Sequence, residues 1–326
     1  MASTVNTSKP SWNFDHRVAL ALAATYLCFG SGPAAASAAI KTLPPFLMVA
    51  VRGLVAGVIL TTWALMAGAT WPTWREWRAG AAIGVLILTL GAGAGTYGQL
   101  TVASSVAGTL SALLPLFAAV FGYIVFRERL PAQGIAGLVI GFLGIGLLLR
   151  PGSGLDLWGV AVIIFGQIAW AAGAELAPRL GLPEEPRLAA GVELMVGGVI
   201  LLIVAIARGD WARLDLASVS NTSWMGFGWF IVIAVVGFTA FGYLTQNVSP
   251  AIATTFSYVN PIVAMTLGWL IFSEPITWRM IIAMVISATG VFLIVSTKTD
   301  GPGKTRHPIT SGHGHRRRGV EAVARS

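Results

Sequence analysis

Long apolar stretches alternate with short polar ones along this chain, and the apolar stretches run unbroken, without the every-second-residue alternation of a half-buried strand. Residues 79–126 carry no Asp, Glu, Lys or Arg, and neither do residues 216–273; each run is long enough for two spans at roughly 20 residues apiece. Cut on this scale, the pattern predicts ten helical spans: 18–40, 45–67, 79–100, 103–126, 132–150, 157–178, 186–207, 224–246, 250–272 and 278–296. A strand barrel is excluded, because continuous apolar runs lack its alternation and lipid-exposed backbone must be bonded internally. The first apolar run lacks a small-residue cleavage site and another follows at once, so it reads as a retained helix. The expected fold class is all-α integral membrane.

The pattern also repeats. A shift of 146 residues lays Tyr97 on Tyr243, Thr109 on Thr255, Pro115 on Pro261, Gly122 on Gly268, Phe126 on Phe272, Glu128 on Glu274 and Gly144 on Gly290 without a gap. Upstream, a shift of 141 lays Phe29 on Trp170, Gly32 on Gly173, Pro45 on Pro186 and Gly57 on Gly198. Five helices per half is an odd number, so the second half enters the membrane from the opposite face. Ten transmembrane helices in two inverted five-helix repeats are expected, 18–150 and 157–296, between an N-terminal segment 1–17 and a tail 297–326. Such repeats are a signature of secondary transporters, whose halves rock around a shared site.

Composition sharpens this reading: 56% of residues are hydrophobic and 10% charged, against about a quarter charged in soluble proteins. With the N-terminus inside, fifteen Lys or Arg fall on the cytoplasmic side and five outside, which favours both termini in the cytoplasm. Much of the +8 net charge lies in the tail, from Lys298 through Lys304, Arg306, Arg316, Arg317 and Arg318 to Arg325. That tail reads as disordered, either a topology determinant or a contact to anionic lipid. Cys28 is the only cysteine, so no internal disulfide and no thiolate cluster is possible. His16, His307, His313 and His315 all lie outside the expected membrane, so no metal or haem site is expected. No Gly-rich phosphate loop followed by Lys and Ser or Thr occurs. No cofactor, ATP drive, enzyme chemistry or nucleic-acid partner is expected; the partners are the lipid bilayer, a small-molecule substrate and, through packing glycines, a possible homodimer.

The stretches LPPFLMVAVRG (Leu43 to Gly53), SALLPLFAAVFGYIVFRERL (Ser111 to Leu130) and NVSPAIATTFSYVNPIVAMTLGWLIFSEPIT (Asn247 to Thr277) resemble the EamA-type transporters of the drug/metabolite transporter superfamily. The resemblance covers Ala19 to Thr297 and is nearest to uncharacterised bacterial inner-membrane exporters, some of whose relatives export amino acids and other metabolites. It implies two inverted five-helix repeats and an exporter of the bacterial-type plasma (inner) membrane. Two departures stand out: Phe29-Gly30-Ser31 replaces a Trp-Gly-Ser, whose Trp survives only as Trp170, and Ser104-Ser105 stands where a proline often begins the fourth helix, while Pro250 is kept in the ninth.

The candidate substrate site follows from prolines and polar residues within spans. Pro115 and Pro261 fall mid-span and free the carbonyls of Ser111 and Ser257, the kind of broken helix that transporters use for binding; a purely structural kink is the other reading. In the ninth span Thr254, Ser257, Tyr258 and Pro261 form an i, i+3, i+4, i+7 stripe, with Asn260 off it. Tyr243, Gln246 and Asn247 join from the eighth span, Tyr97 and Gln99 from the third, Gln167 and Trp170 from the sixth, and Tyr26 and Phe29 from the first. An aromatic and amide cavity of this kind suits small amphipathic solutes. Trp71, Trp74 and Trp77, in the loop after the second span, read as interface anchors.

Charges inside a bilayer are functional hypotheses. Arg52 and Glu193 superpose under the 141 shift; Glu193 either exchanges a proton during transport or is a buried partner for Arg52 or a backbone amide. Glu175, late in the sixth span, reads as interfacial. Glu128 and Glu274 follow Phe126 and Phe272 at helix ends on opposite faces, where capping and gate contacts both fit. Gly134, Gly137, Gly141 and Gly144, with Ala283, Ser287 and Gly290, read as close-packing faces.

Overall fold

In the computed structural model, which describes residues 16–149, 154–248, 250–253 and 255–298, all regular structure is helical and no strand occurs among the described residues. In chain order the helices are α1 (His16–Ala39), α2 (Pro45–Met66), α3 (Trp74–Gly98), α4 (Ser104–Phe126), α5 (Ala132–Leu148), α6 (Leu157–Arg179), α7 (Pro186–Ala207), α8 (Asn221–Asn247), α9 (Phe256–Phe272) and α10 (Trp278–Ser296). Eight are long and apolar enough to cross a membrane; α5 and α9 are shorter apolar helices. A single turn, Pro250–Ala253, leads into α9. The N-terminal segment up to residue 15 and the basic tail from 299, with His307, His313 and His315, lie outside the described residues.

Local sequence fixes the helix starts. Pro45 and Pro186 open α2 and α7, where a missing N–H costs nothing. Ser220 caps α8 and Asp156 caps α6 through their side chains. Trp74 and Trp77 are not in a loop, as hydropathy had suggested, but in the first turn of α3. The reason is a capping box: the Thr73 hydroxyl accepts from Glu76 N–H while the Glu76 carboxylate accepts from Thr73 N–H at 2.7 Å. Only Trp71 remains in the connection.

In lipid, helices gain little from burying apolar surface against each other, so small residues that let backbones meet decide the packing. Two seams are built this way. Between α2 and α7, a Cβ placed on Gly57 would lie 2.9 Å from Gly191 O, and one on Gly198 would lie 3.0 Å from Leu54 N. Between α5 and α10, a Cβ on Gly137 would lie 2.6 Å from Gly290 O, and one on Gly144 would lie 2.8 Å from Ser287 N. These glycines therefore carry structure, as the spacing implied. Further close pairings include α1 with α9, α8 and α4, α4 with α9, α6 and α10, α3 with α6, α7 and α2, and α8 with α2 and α7.

Two buried clusters result. One joins α1, α2, α3, α7 and α8 around Leu60, Leu88, Leu194 and Phe230; the other joins α4, α5, α6, α9 and α10 around Leu110, Leu116, Ile163 and Ile294. Outward, Leu20, Leu27, Val58, Ile124, Leu143, Ile203 and Phe292 are exposed, an apolar surface that lipid covers. The chain is a multi-pass membrane protein.

Candidate functional site

The helices that border the centre are interrupted in ways that loosen their backbone ladders. In α4 the α-helix stops at Ser111 and resumes at Leu114, with Ala112 N–H and Leu113 N–H donating to Thr109 O and Leu110 O, one residue closer than in an α-helix. Pro115, which cannot donate to Ser111, accounts for the break. The Ser111 hydroxyl turns back to Gly108 O at 2.7 Å. In α9 the break lies earlier, between Ala253 and Phe256, while Pro261 is carried inside the helix. Ser257, Tyr258 and Pro261 of the expected stripe keep their spacing within α9. Ser257 is buried, the Tyr258 hydroxyl donates to Val291 O of α10 at 3.4 Å, and Thr254 lies outside the described residues.

Both α3 and α8 contain wider, π-helical turns, Val85–Ala92 and Ile233–Gly237. Gly91 and Gly237, one in each, are 146 residues apart. A Cβ on Gly91 would touch Trp170 Cβ at 3.3 Å, and one on Gly237 would touch the Phe29 ring at 2.8 Å. Trp170 and Phe29 are themselves superposed by the 141 shift, and both rest on the cluster around Leu88 and Phe230. Wide turns of this type recur at functional sites. Nothing in the sequence pattern announced them.

Around Phe29 the structure gathers rings that hydropathy could not single out. Phe256 lies 5.2 Å away edge-on, Phe238 5.8 Å and Phe241 6.0 Å. Beside them the Tyr26 and Thr255 hydroxyls are 2.6 Å apart. Thr255 also donates to Ile252 O, so Tyr26 is the donor of the shared bond. Tyr26, Phe29 and Thr255, with these three phenylalanines, form one aromatic and hydroxyl cluster between α1, α8 and α9.

The other candidates are spread out. Tyr97 stacks on Phe46, with centroids 5.3 Å apart and Arg208 5.6 Å from its own. Gln99 accepts from the Ser37 hydroxyl at 3.0 Å. Tyr243 packs with Leu244 and Ala253, and Asn247 donates to its carbonyl at 2.8 Å, while Gln246 is exposed. Gln167 is half-buried on α6. Asn260 holds a buried amide oxygen without a hydrogen bond. Arg52 is 4% exposed, its Nε has no partner, and its guanidinium lies 3.9 Å over the Phe230 ring. Arg52 and Glu193 form no ion pair. Arg52 is directed to α8, and the Glu193 backbone abuts α3 at Gly84.

The two carboxylates at helix ends have distinct partners. Glu274 Oε1 accepts from Ser104 N–H at 2.9 Å and the Ser104 hydroxyl at 2.8 Å, and Oε2 accepts from Ser105 N–H at 2.8 Å. Desolvation works to raise the pKa of this carboxyl, but the Ser105 and Ser104 bonds outweigh it and hold it below the ordinary value. At the other end of α4, Glu128 Oε1 accepts from Arg179 Nη2 at 2.6 Å, and Arg179 also reaches Glu175 at 3.3 Å. Asp156, where α6 begins, is held below its usual pKa chiefly by the Thr101 hydroxyl and by the Gly159 N–H. A cleft of about 550 Å³ at the Glu274 end is lined by Ser37, Lys41, Gln99, Thr101, Phe272 and Glu274.

Interrupted helices around a neutral aromatic cluster, in a bundle with a lipid-facing apolar surface, are an arrangement that suits a membrane transporter. The chain belongs to the EamA-like transporter family, whose profile matches twice, over residues 16–150 and 157–296. It is 31% identical to the uncharacterised inner membrane transporter YedA of Escherichia coli (strain K12), over 87% of this chain and 92% of that one. It is 22% identical to the uncharacterised transporter YvbV of Bacillus subtilis (strain 168), over 87% and 92% respectively. A solved crystal structure at 16% identity shares the fold, with a TM-score of 0.61 over 87% of this chain and 99% of that one.

Proposed function

We propose that this protein is a secondary transporter of the bacterial inner membrane that exports small amphipathic metabolites, amino acids or related compounds, by alternating access. Its ten helices form two inverted repeats, 18–150 and 157–296, with both termini in the cytoplasm. The observation that carries this reading is the exchange symmetry of the helix contacts. Swapping each helix for the one five places along turns α1·α9 into α6·α4, α3·α6 into α8·α1 and α3·α7 into α8·α2, and returns α2·α7, α5·α10 and α4·α9 to themselves; all of these pairs are in contact. The larger contacts survive that swap, while α1·α4 and α4·α10 have no counterpart of like extent in α6·α9 and α9·α5; a bundle related to itself in this way has the makings of two related conformations, each open to one face.

The rings around Phe29, with the Tyr26 and Thr255 hydroxyls, are the proposed core of the substrate site, Trp170 and Gln167 its counterpart on α6. Rings cover an apolar side chain and hydroxyls orient a polar end. Export direction rests on the family resemblance. Glu193 is the proposed proton-coupling residue. The neutrality of the Phe29 cluster favours a second reading, an uncoupled facilitative carrier.

Uptake of a labelled amino-acid panel into proteoliposomes, with and without a pH gradient, separates these. Proton-coupled transport requires gradient-dependent accumulation that is lost in Glu193→Gln while counterflow persists. Accumulation that ignores the gradient in the parent protein leaves the facilitative carrier, and no saturable flux of any panel member removes amino acids as the substrate class.

A further inference from the structure

The sequence makes the ends of α4 and α9 the same, and the structure gives them different partners. Both helices end at a residue with left-handed backbone, Arg127 and Ser273, each at φ 55°. After each comes a glutamate whose N–H returns to a repeat-related glycine: Glu128 to Gly122 O at 3.2 Å, Glu274 to Gly268 O at 3.1 Å. Before each stands a phenylalanine with a cation over its ring, Arg179 at 3.8 Å from the Phe126 centroid and Lys41 at 4.9 Å from that of Phe272. So each end holds a glutamate, a ring and a cation in corresponding places. At the Glu128 end the carboxylate is on the cation. At the Glu274 end it is bonded instead to Ser104 and Ser105 and ties α9 to the start of α4.

We propose that Glu274 is the latch of one gate of the transporter, with Lys41 the group that receives it when that gate opens, and that the Glu128–Arg179 pair shows the cation-bound position that a released glutamate takes. This rests on the alternating-access reading above. The latch consists of three hydrogen bonds to a carboxylate, two of them from the backbone N–H groups of Ser104 and Ser105 that open α4, where charge-assisted bonds and the helix dipole act together. Between that end and the Phe29 cluster, small residues bring the helices together: a Cβ on Gly30, level with Phe29, would lie 2.6 Å from Val263 Cβ, and α4 approaches α9 similarly at Gly108 and Ala264. Lys41 and Glu274 line the same cleft, so a carboxylate that leaves α4 has a cation within that cleft to turn to. One end latched and the other released is what alternation demands of a single conformation.

The test is reagent access at the two ends of the full chain in lipid nanodiscs, where an impermeant maleimide meets both faces. In a Cys28→Ser background, Ser37→Cys reports the Glu274 end and Thr245→Cys, exposed near the far end of α8, reports the other. Glu274→Gln is expected to raise the labelling rate at Ser37→Cys by on the order of tenfold, the size of a population shift from losing a charge-assisted cap, and to lower it at Thr245→Cys. Lys41→Gln, which removes the receiving group, is expected to lower labelling at Ser37→Cys below the parent. Glu274→Asp, one methylene shorter with its charge intact, is expected to fall between Gln and the parent, which keeps the test informative should the Gln variant fail to fold. An unchanged rate at Ser37→Cys, a rise at both reporters, or no effect of Lys41→Gln would overturn the latch. Counterflow by the parent is read alongside: absent flux with reciprocal labelling defeats the transport reading and leaves the latch standing, and saturable flux with flat labelling does the reverse.

Discussion

The α5·α10 seam and the junction between α4 and α9 hold the same two halves of the chain together by opposite means. Along the seam, backbone meets backbone at Gly137, Gly144 and Gly290, and no side chain could let go without parting whole helices. At the junction one carboxylate spans the gap with three hydrogen bonds, and a lysine waits in the same cleft. On the alternating-access reading the difference assigns the moving parts: contacts spread over a helix length are to persist through the cycle, and the contact concentrated in one exchangeable side chain is to set which end is shut.

Breaking the seam is expected to have the largest effect. Gly290→Leu drives a branched side chain into Gly137 O and Gly141, whose atoms already lie 2.5 Å from a built Cβ; overpacking of this kind costs about 1–3 kcal/mol or more, and loss of monodisperse protein on size-exclusion chromatography is the expected result. Sharpening the junction comes next. Ser104→Pro gives α4 the residue that begins the corresponding turn of the second half, Pro250. Proline is tolerated in a first helical turn, so the fold should stand, but the N–H and hydroxyl that Glu274 uses there disappear together. Labelling at Ser37→Cys should rise severalfold, by less than in Glu274→Gln because Ser105 N–H remains.

Smaller still is the effect of Arg179→Gln. The Glu128–Arg179 pair is more than one-third exposed on both sides, and exposed pairs contribute about 0.2–1 kcal/mol at most, so labelling at Thr245→Cys should change by less than about fivefold. The smallest response is to pH. Because Glu274 is held below 4.5, its cap is complete above that value and is lost only as pH falls through the depressed one; labelling at Ser37→Cys should stay flat from about pH 5 to 8 and rise only in stronger acid.

Much of this arrangement is legible in the sequence, and the illegible part has identifiable causes. Apolar runs located the helices because lipid enforces span length, and the glycine spacing of α5 and α10 marked a seam because only small residues admit backbone contact. Pro115 announced the break in α4 for the same chemical reason that it exists. The sequence also put Glu128 and Glu274 at equivalent ends, and part of the difference between their partners was there to be read: Ser104 offers an N–H and a hydroxyl where Pro250 offers neither. The ring cluster of Phe238, Phe241 and Phe256 was missed because phenylalanines within an apolar run carry no pattern of their own. Thr255 was missed because it lies off the stripe that the spacing selects, and only the packing of α1 on α9 brings the Tyr26 hydroxyl to it. The π turns of α3 and α8 leave no polar trace, although the 146-residue spacing of Gly91 and Gly237 was there to be read.

The central claim, that the Glu274 end must open for solute to cross, is tested most directly by tying it shut. A Cβ built on Gly268 lies 3.1 Å from Ser104 Oγ and meets the Glu274 carboxylate, within disulfide reach of position 104, so Gly268→Cys with Ser104→Cys in a Cys28→Ser background can join α9 to α4 in place of the latch. Counterflow of a transported solute in proteoliposomes is measured before oxidation, after it and after reduction. The account predicts flux that stops on cross-linking and returns on reduction; undiminished flux through fully cross-linked protein would contradict it.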